Sequence, residues 1–330
     1  MNKSLNKRLS LQRLLAPAAL VILYVFFSLP FISKTFLSID TLVSIFDRTY
    51  YVGFLAFGVT YVIISGCIDL SIGTNMMMSA LIGGFLIKGG VSIPVSLVCV
   101  VLIATTVGFF NGVLIARLKL PPFIATLGMM LLTQGFGSIV TSVTTQHYPA
   151  REMDEFGNFV FGYKDIFYKT SNGFPSGAIY LLIFFIIALV LLTKTRFGNY
   201  TYALGSNEEA MRLSGVNTVF WKIVVFTFCG LYAGLGAIVY ASTYTTIVPG
   251  RGNGIELDAI AAVIIGGTSM SGGSGSVSGT LIGTLLMSVL KSGLVSAGLQ
   301  ADYQVFFSGV VVILAVLLDV YRNKRSEKIV

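Results

Sequence analysis

Charge is what this chain has least of: Asp, Glu, Lys and Arg make up 11% of its 330 residues, against 55% hydrophobic residues. That balance excludes an ordinary soluble domain and places the chain in the membrane class. The formal charge is +8, yet the Lys and Arg residues cluster at the ends of apolar runs. They read there as topology signals and not as a nucleic-acid surface. Histidine occurs once, at His147, and the three cysteines (Cys67, Cys99, Cys229) lie inside apolar segments without C-x-x-C spacing. A zinc site and a disulfide framework are therefore both excluded. Met76, Met77 and Met78 are consecutive, so their side chains point to different helix faces and suit packing better than metal binding. The metal-ligand set is none, and so is the set of catalytic residues, since H-E-x-x-H is also missing.

Gly-Lys occurs nowhere, so there is no G-x-x-x-x-G-K-[ST] phosphate loop and no ATP hydrolysis by that route. The run "GGTSMSGGSGSVSG" begins a G-x-G at Gly273 and Gly275, but position 278 is Ser and the flanks are apolar spans, so a dinucleotide site fails too. Glycines there suit close helix packing or a broken span.

What is present is a succession of apolar runs. At about 20 residues per crossing, spans are expected near 14–33, 46–65, 71–87, 92–116, 123–144, 177–193, 220–242, 258–271, 276–295 and 304–320. The first follows basic residues but is too long for a signal peptide and has no A-x-A site, so it is expected to be retained. The eighth is short and broken by glycines, as a re-entrant or discontinuous segment would be. Ten spans predict an all-α, polytopic transmembrane helical bundle with both termini on one side. Most of the 22 Lys and Arg, among them Arg8, Arg13, Arg117, Lys194, Arg322 and Lys324, then share that side, which makes it the cytoplasm. The whole chain, 1–330, reads as one membrane-embedded domain, and membrane lipid surrounds it. A faint internal echo pairs "VIISG" (62–66) and "ALIGGFL" (80–86) with "VIIGG" (263–267) and "TLIGTLL" (280–286), the pattern of duplicated transporter halves.

Two polar segments interrupt the runs. The outer one, 145–176, mixes charges of both signs with aromatics and suits either a partner-facing surface or a solvated loop. The inner one, 194–219, holds "NYTYALGSNEEAMRLSGVN", with a full set of helix end signals. Asn207 can cap, Glu208 and Glu209 occupy the positive first turn, Arg212 the last, and Gly215 supplies a left-handed stop. Glu208 and Arg212 are spaced to pair. About two turns of helix is too short to persist alone in water, so it must rest on its own protein through Met211 and Leu213, or sit in a partner's groove. Its Asn199-Tyr-Thr sequon is accidental on the cytoplasmic side.

"TRFGNYTYALGSNEEAMRLSGVN" (195–217) resembles the cytoplasmic segment of the permease subunits of bacterial ABC importers for ribose, galactose and related sugars. "SGCIDLSIG" (65–73), "LKLPPFIATLGMM" (118–130) and "GNGIELDAIAAVIIGGTSMSGGSGSVSGTLIG" (252–283) carry the same resemblance, in the same order. Departures fall at Asn199, Ser206, Met211, Cys67 and Ser274. The resemblance implies a multi-pass subunit of the bacterial cytoplasmic (inner) membrane and a coupling helix that docks on an ABC ATPase through Gly205, Ser206, Asn207, Glu208, Glu209, Ala210, Arg212 and Gly215. It also implies a second permease chain, identical or related, and an extracytoplasmic substrate-binding protein that delivers a pentose or hexose sugar. ATP and Mg would sit on the partner ATPase, with no cofactor in this chain.

Polar residues inside the spans are the candidates for a translocation path: Asp69, Ser71, Asn75, Asn111, Thr126 and Gln134. The same residues can equally glue helices together, and Asp69 or Ser71 can cap a helix after a chain break. Arg251, Glu256 and Asp258 form a small charged cluster at the expected outer edge, suited to docking the binding protein or to snorkelling. Lys291 and Asp319 end spans and read as anchors. Two rival readings stay open: a permease for a branched-chain amino acid or a sugar-like signal molecule, and an ion-coupled secondary transporter with Asp69 carrying a proton.

Overall fold

The computed structural model describes residues 3–149, 152–153, 159–160, 163 and 176–327. Most of the outer segment 145–176 therefore lies outside the described residues. Among the described residues eleven helices run in chain order: α1 Lys3–Ser28, α2 Ile39–Ile64, α3 Ile72–Lys88, α4 Ile93–Ala116, α5 Pro122–Val140, α6 Ser176–Lys194, α7 Arg196–Leu213, α8 Thr218–Tyr244, α9 Ile255–Ile265, α10 Val277–Ser296 and α11 Ala301–Glu327. Four two-residue strands accompany them, β1 Gln146–His147, β2 Glu152–Met153, β3 Phe159–Val160 and β4 Thr246–Ile247, pairing antiparallel as β1 with β4 and β2 with β3.

Local chemistry sets many of the ends. The side chains of Ser38, Thr195, Asn217 and Ser276 each accept from a backbone N–H of the first turn of α2, α7, α8 and α10, satisfying donors the helix cannot. Proline opens α4 and α5, where its missing N–H has no cost.

Among the described residues seven helices are long and apolar enough to cross a membrane: α2, α4, α5, α6, α8, α10 and the first 21 residues of α11. The protein is an all-α polytopic bundle. Two shorter apolar helices, Ala16–Ser28 within α1 and α3, add to these. The expected eighth span, 258–271, is instead the 11-residue α9. At 1.5 Å per residue it covers only about half the hydrocarbon thickness.

The helices sort into two classes. In α2 and α10, 67% of the most apolar window is buried, against 22% in α4 and α5. Helices α2, α3, α8, α9 and α10 thus form the centre, while α4, α5, α6 and α11 turn residues such as Leu102, Leu132, Ile186 and Phe306 outward. An outward apolar face is what a bilayer accepts. Where α4 crosses α8, Gly108 and Gly230 meet so closely that a Cβ on Gly108 would lie 2.4 Å from the Phe226 carbonyl oxygen, the small-residue packing by which membrane helices associate. The three methionines pack as expected on three sides: Met76 near Gly236 of α8, Met77 near Gly252, and Met78 near Gly137 of α5.

Candidate functional site: the polar helix and the two chain breaks

Helix α7 is two helices. At Asn207 the backbone leaves the helical region (φ −163°, ψ 92°), and its Oδ1 accepts from Ala210 N–H at 2.9 Å, which makes it the cap of a second, short helix over 208–213. Gly215 (φ +82°) closes that helix, with Gly215 N–H donating to Arg212 C=O and Val216 N–H to Met211 C=O, the double bond of a left-handed stop.

The expected Glu208–Arg212 pair does not form. Arg212 pairs with Glu209 one place nearer, while Glu208 reaches Lys222 of α8 at 2.7 Å. The kink at Asn207 turns Glu208 toward α8, which the spacing along a continuous helix could not reveal. Arg212, by hydrogen bond and charge, holds the Glu209 carboxyl below the usual carboxylate range. Met211 is buried against the protein and Leu213 is 76% exposed. One residue thus seats the helix, and Glu209, Arg212 and Leu213 project outward. Beside it lies a groove of about 470 Å³ lined by Tyr200, Ala203, Ser206, Asn207, Met211 and Val216, among others.

The sequence pattern gave no sign of what lies beneath this helix. Gly205 packs on the end of α2 and on the loop after α9: a Cβ there would sit 1.9 Å from Ile64 C=O and 2.4 Å from Gly273 N. Gly272 is equally tight, its Cβ position 2.9 Å from Gly66 Cα and 3.0 Å from Gly205 Cα. Gly273 N–H donates to Ile64 C=O at 2.8 Å. Three backbones cross here with no side chain between them. Tyr202 adds a hydrogen bond to Gly275 C=O at 2.8 Å, and Phe197 stacks on Tyr61 of α2 at 5.1 Å.

The first break follows directly. After α2 ends at Gly66, Asp69 is 2% exposed. Its Oδ1 accepts from Ser71 N–H at 2.9 Å and from Ser71 Oγ–H at 2.7 Å. Asn111 of α4 donates through Nδ2 to Ser71 Oγ at 2.8 Å and more distantly to Asp69, and the Cys229 thiol of α8 adds another hydrogen bond. Asp69, Ser71 and Asn111 are therefore one sealed cluster tying the break to α4 and α8. Neutral donors from three elements offset the cost of burying the carboxylate. Ser71 stands at the N-cap of α3 but makes no side-chain cap.

The other path candidates separate. Asn75 donates to Ala104 C=O at 3.0 Å and is buried helix glue. Thr126 returns its hydroxyl to Pro122 C=O. Gln134 is different: its Nε2 donates to Gly250 C=O at 2.8 Å and its Oε1 accepts from exposed Asn253 at 3.3 Å, giving a polar edge on the outward side of α5.

The charged cluster also changes character. Arg251 is exposed, but Glu256 and Asp258 are 5% and 3% exposed. The first turn of α9 dips into the bundle, so neither carboxyl is presented to a partner. Asp258 is ion-paired with Lys291 of α10, which is therefore no snorkelling anchor. Asp319 likewise turns inward and accepts from Met270 N–H at 3.0 Å.

The model of one protein family, described as "Branched-chain amino acid transport system / permease component", matches residues 41–316. The chain belongs to this permease family. It is similar to the ribose import permease protein RbsC of Escherichia coli (strain K12), 36% identical over 300 residues, 89% of each chain. The RbsC of Bacillus subtilis (strain 168) is 36% identical over 268 residues, 81% of this chain and 80% of the relative. The autoinducer 2 import system permease protein LsrC of Escherichia coli O9:H4 (strain HS) is 34% identical over 318 residues, 94% and 90%. No solved structure matches. The protein is thus a transport subunit and not an enzyme, a multi-pass protein of the bacterial inner membrane and the permease of an ABC importer.

Proposed function

We propose that this chain forms, with a second permease chain, the pore of an ATP-driven importer for a pentose or hexose sugar, delivered by an extracytoplasmic binding protein. Ten crossings carry the chain through the membrane, α9 serving as a half-length one, with both termini cytoplasmic and α7 on the same side. The short helix 208–213 docks on the ATPase, which holds ATP and Mg. The observation that carries the mechanism is the glycine crossing. Docking force on α7 bears directly on the end of α2 and on the loop after α9, so an ATPase that binds two forms of the pore with different affinity shifts their populations.

Sugar is favoured by the relatives that are named for ribose import. A second reading, a sugar-like signal molecule, is favoured by the LsrC relative, whose likeness covers as much of the chain. Ion-coupled transport through Asp69 is disfavoured, because its carboxyl is sealed among neutral donors.

The test is purification of the tagged chain from its native membrane, with identification of co-purifying subunits, ATPase assay, and uptake of radiolabelled ribose and of autoinducer 2 by the reconstituted complex. Glu208→Lys with Glu209→Lys should reduce ATPase association about tenfold or more while insertion is unchanged. Glu209→Lys alone, which leaves the Glu208–Lys222 pair in place, should act in the same direction. Undiminished association in the double variant would overturn the docking role.

A further inference from the structure

A charged group lies buried where α2, α9 and α10 meet, and nothing in the transport reading uses it. Lys291 of α10 donates to Asp258 Oδ2. Among the described residues Asp258 Oδ1 has no hydrogen-bond partner, nor do the buried Nε of Arg48 on α2 and Oε2 of Glu256. Arg48 belongs to the same group: Ser44, one turn away on α2, meets Ser292, the neighbour of Lys291, at 3.4 Å, and Arg48 and Asp258 lie within electrostatic reach of each other. Tyr51, three residues on from Arg48 along α2, is in edge contact with Tyr240 of α8 at 5.0 Å.

An ion pair in this place needs a reason beyond stability. Taking both ions out of water costs several kcal/mol each, and an apolar pair of the same size serves a packed interior as well or better. Intramembrane charges accordingly mark working parts. Here one carboxylate is paired with a cation of α10 and lies within electrostatic reach of another on α2; among the described residues one of its oxygens is engaged and the other has no hydrogen-bond partner. The carboxylate rides on α9, the half-length helix whose far end runs into the glycine crossing.

We propose that Lys291 and Arg48 form a two-position clasp on Asp258 that sets the position of α9, the carboxylate resting on Lys291 in the form described here and passing to Arg48 when the bundle changes form. All three are positioning residues. The handover rests on the ATP-driven reading above; the resting contact does not.

The experiment is hydrogen–deuterium exchange of residues 255–265 in the full chain, in nanodiscs of phosphatidylethanolamine and phosphatidylglycerol, with α4 as the internal control. It is run on the resting chain and on the complex trapped with ATP and vanadate. In the resting form Lys291→Met should speed exchange of α9 about tenfold or more, Lys291→Arg should restore it, and Arg48→Met should change it little. In the trapped form the order reverses, and Arg48→Met becomes the damaging change. The double variant Asp258→Asn with Lys291→Met removes both members of the resting pair, so neither is left facing an empty partner, and keeps the resting comparison available if a single variant does not fold. It too should loosen α9. Unaltered exchange in Lys291→Met and in the double variant would overturn the clasp, and identical effects of Lys291→Met and Arg48→Met in both forms would overturn the handover. A wild-type chain that holds no ATPase would defeat the reading under Proposed function, and the resting comparison alone would then judge the clasp.

Discussion

Two helices of this bundle end in nearly the same letters, "VIISGC" closing α2 and "VIIGGT" closing α9, and their backbones end in the same bonds. Gly66 N–H donates to Ile63 C=O and Cys67 N–H to Val62 C=O; Gly267 N–H donates to Ile264 C=O and Thr268 N–H to Val263 C=O. The side chains around the two breaks differ. Behind the first, the Asp69 carboxylate is held by donors from its own loop, α4 and α8. Ahead of the second, α9 carries a carboxylate with one oxygen engaged and one free. The contrast teaches that a repeated local signal fixes how a helix stops, while the surrounding residues decide whether the segment it bounds is pinned or movable.

The comparison can be broken hardest at the place the two breaks share. Gly205→Val puts a side chain where 1.9 Å is available to a carbonyl oxygen, and backbone cannot step aside as a rotamer can. Thermal unfolding of the detergent-purified variant should show a loss of about 3 kcal/mol or more; a near-wild-type melting temperature would mean that the crossing is not tight. At the first break alone, Asp69→Leu strands the Ser71 and Asn111 donors and should cost about 2–3 kcal/mol, while Asp69→Asn should cost less and leave ATP-driven uptake in place. Collapse of uptake in stable Asp69→Asn would contradict the pinned role. Gly66→Ala and Gly267→Ala sharpen the likeness, since both glycines have positive φ (79° and 93°) and should each lose about 1–2 kcal/mol. Clearly unequal losses would show that the matching bonds hide different strain.

The smallest effect is expected outside both breaks, in the short helix 208–213. Glu209 has its folded pKa depressed by Arg212, so the pair's contribution is present above the unfolded carboxylate value and fades as pH falls through the folded one. Titration of the Glu209 carboxyl by NMR should place its midpoint below that of the Glu209 carboxyl in Arg212→Gln.

Much of this architecture was legible in the sequence because it depends on local chemistry or on run length. The long apolar helices fall close to their expected bounds, and Asn207 and Gly215 cap and stop the short helix as their residue types require. What escaped depends on where chain segments meet. The run 258–271 read as short and broken by glycines, and Gly266 and Gly267 do end α9, but hydropathy alone could not say that the helix stops before them. Glu256 and Asp258 looked like surface charge because nothing local says which way the first turn of α9 dips. Lys222 was not foreseen as the partner of Glu208, since the kink and the turn into α8 bring them together. The meeting of Gly66, Gly205 and Gly272 joins three distant parts of the chain, and glycine leaves no periodic trace.

That meeting separates two kinds of inherited freedom. On the proposed docking role, the outward residues of the short helix, Glu209, Arg212 and Leu213, can be rewritten to suit a different ATPase, since all three are exposed. The crossing beneath them admits no atom beyond hydrogen, so a lineage that changes its motor must keep its joint. Contact between bare backbones also has no side-chain rotamers in which a displacement could be absorbed. A small displacement of the short helix therefore arrives at both breaks with little slack.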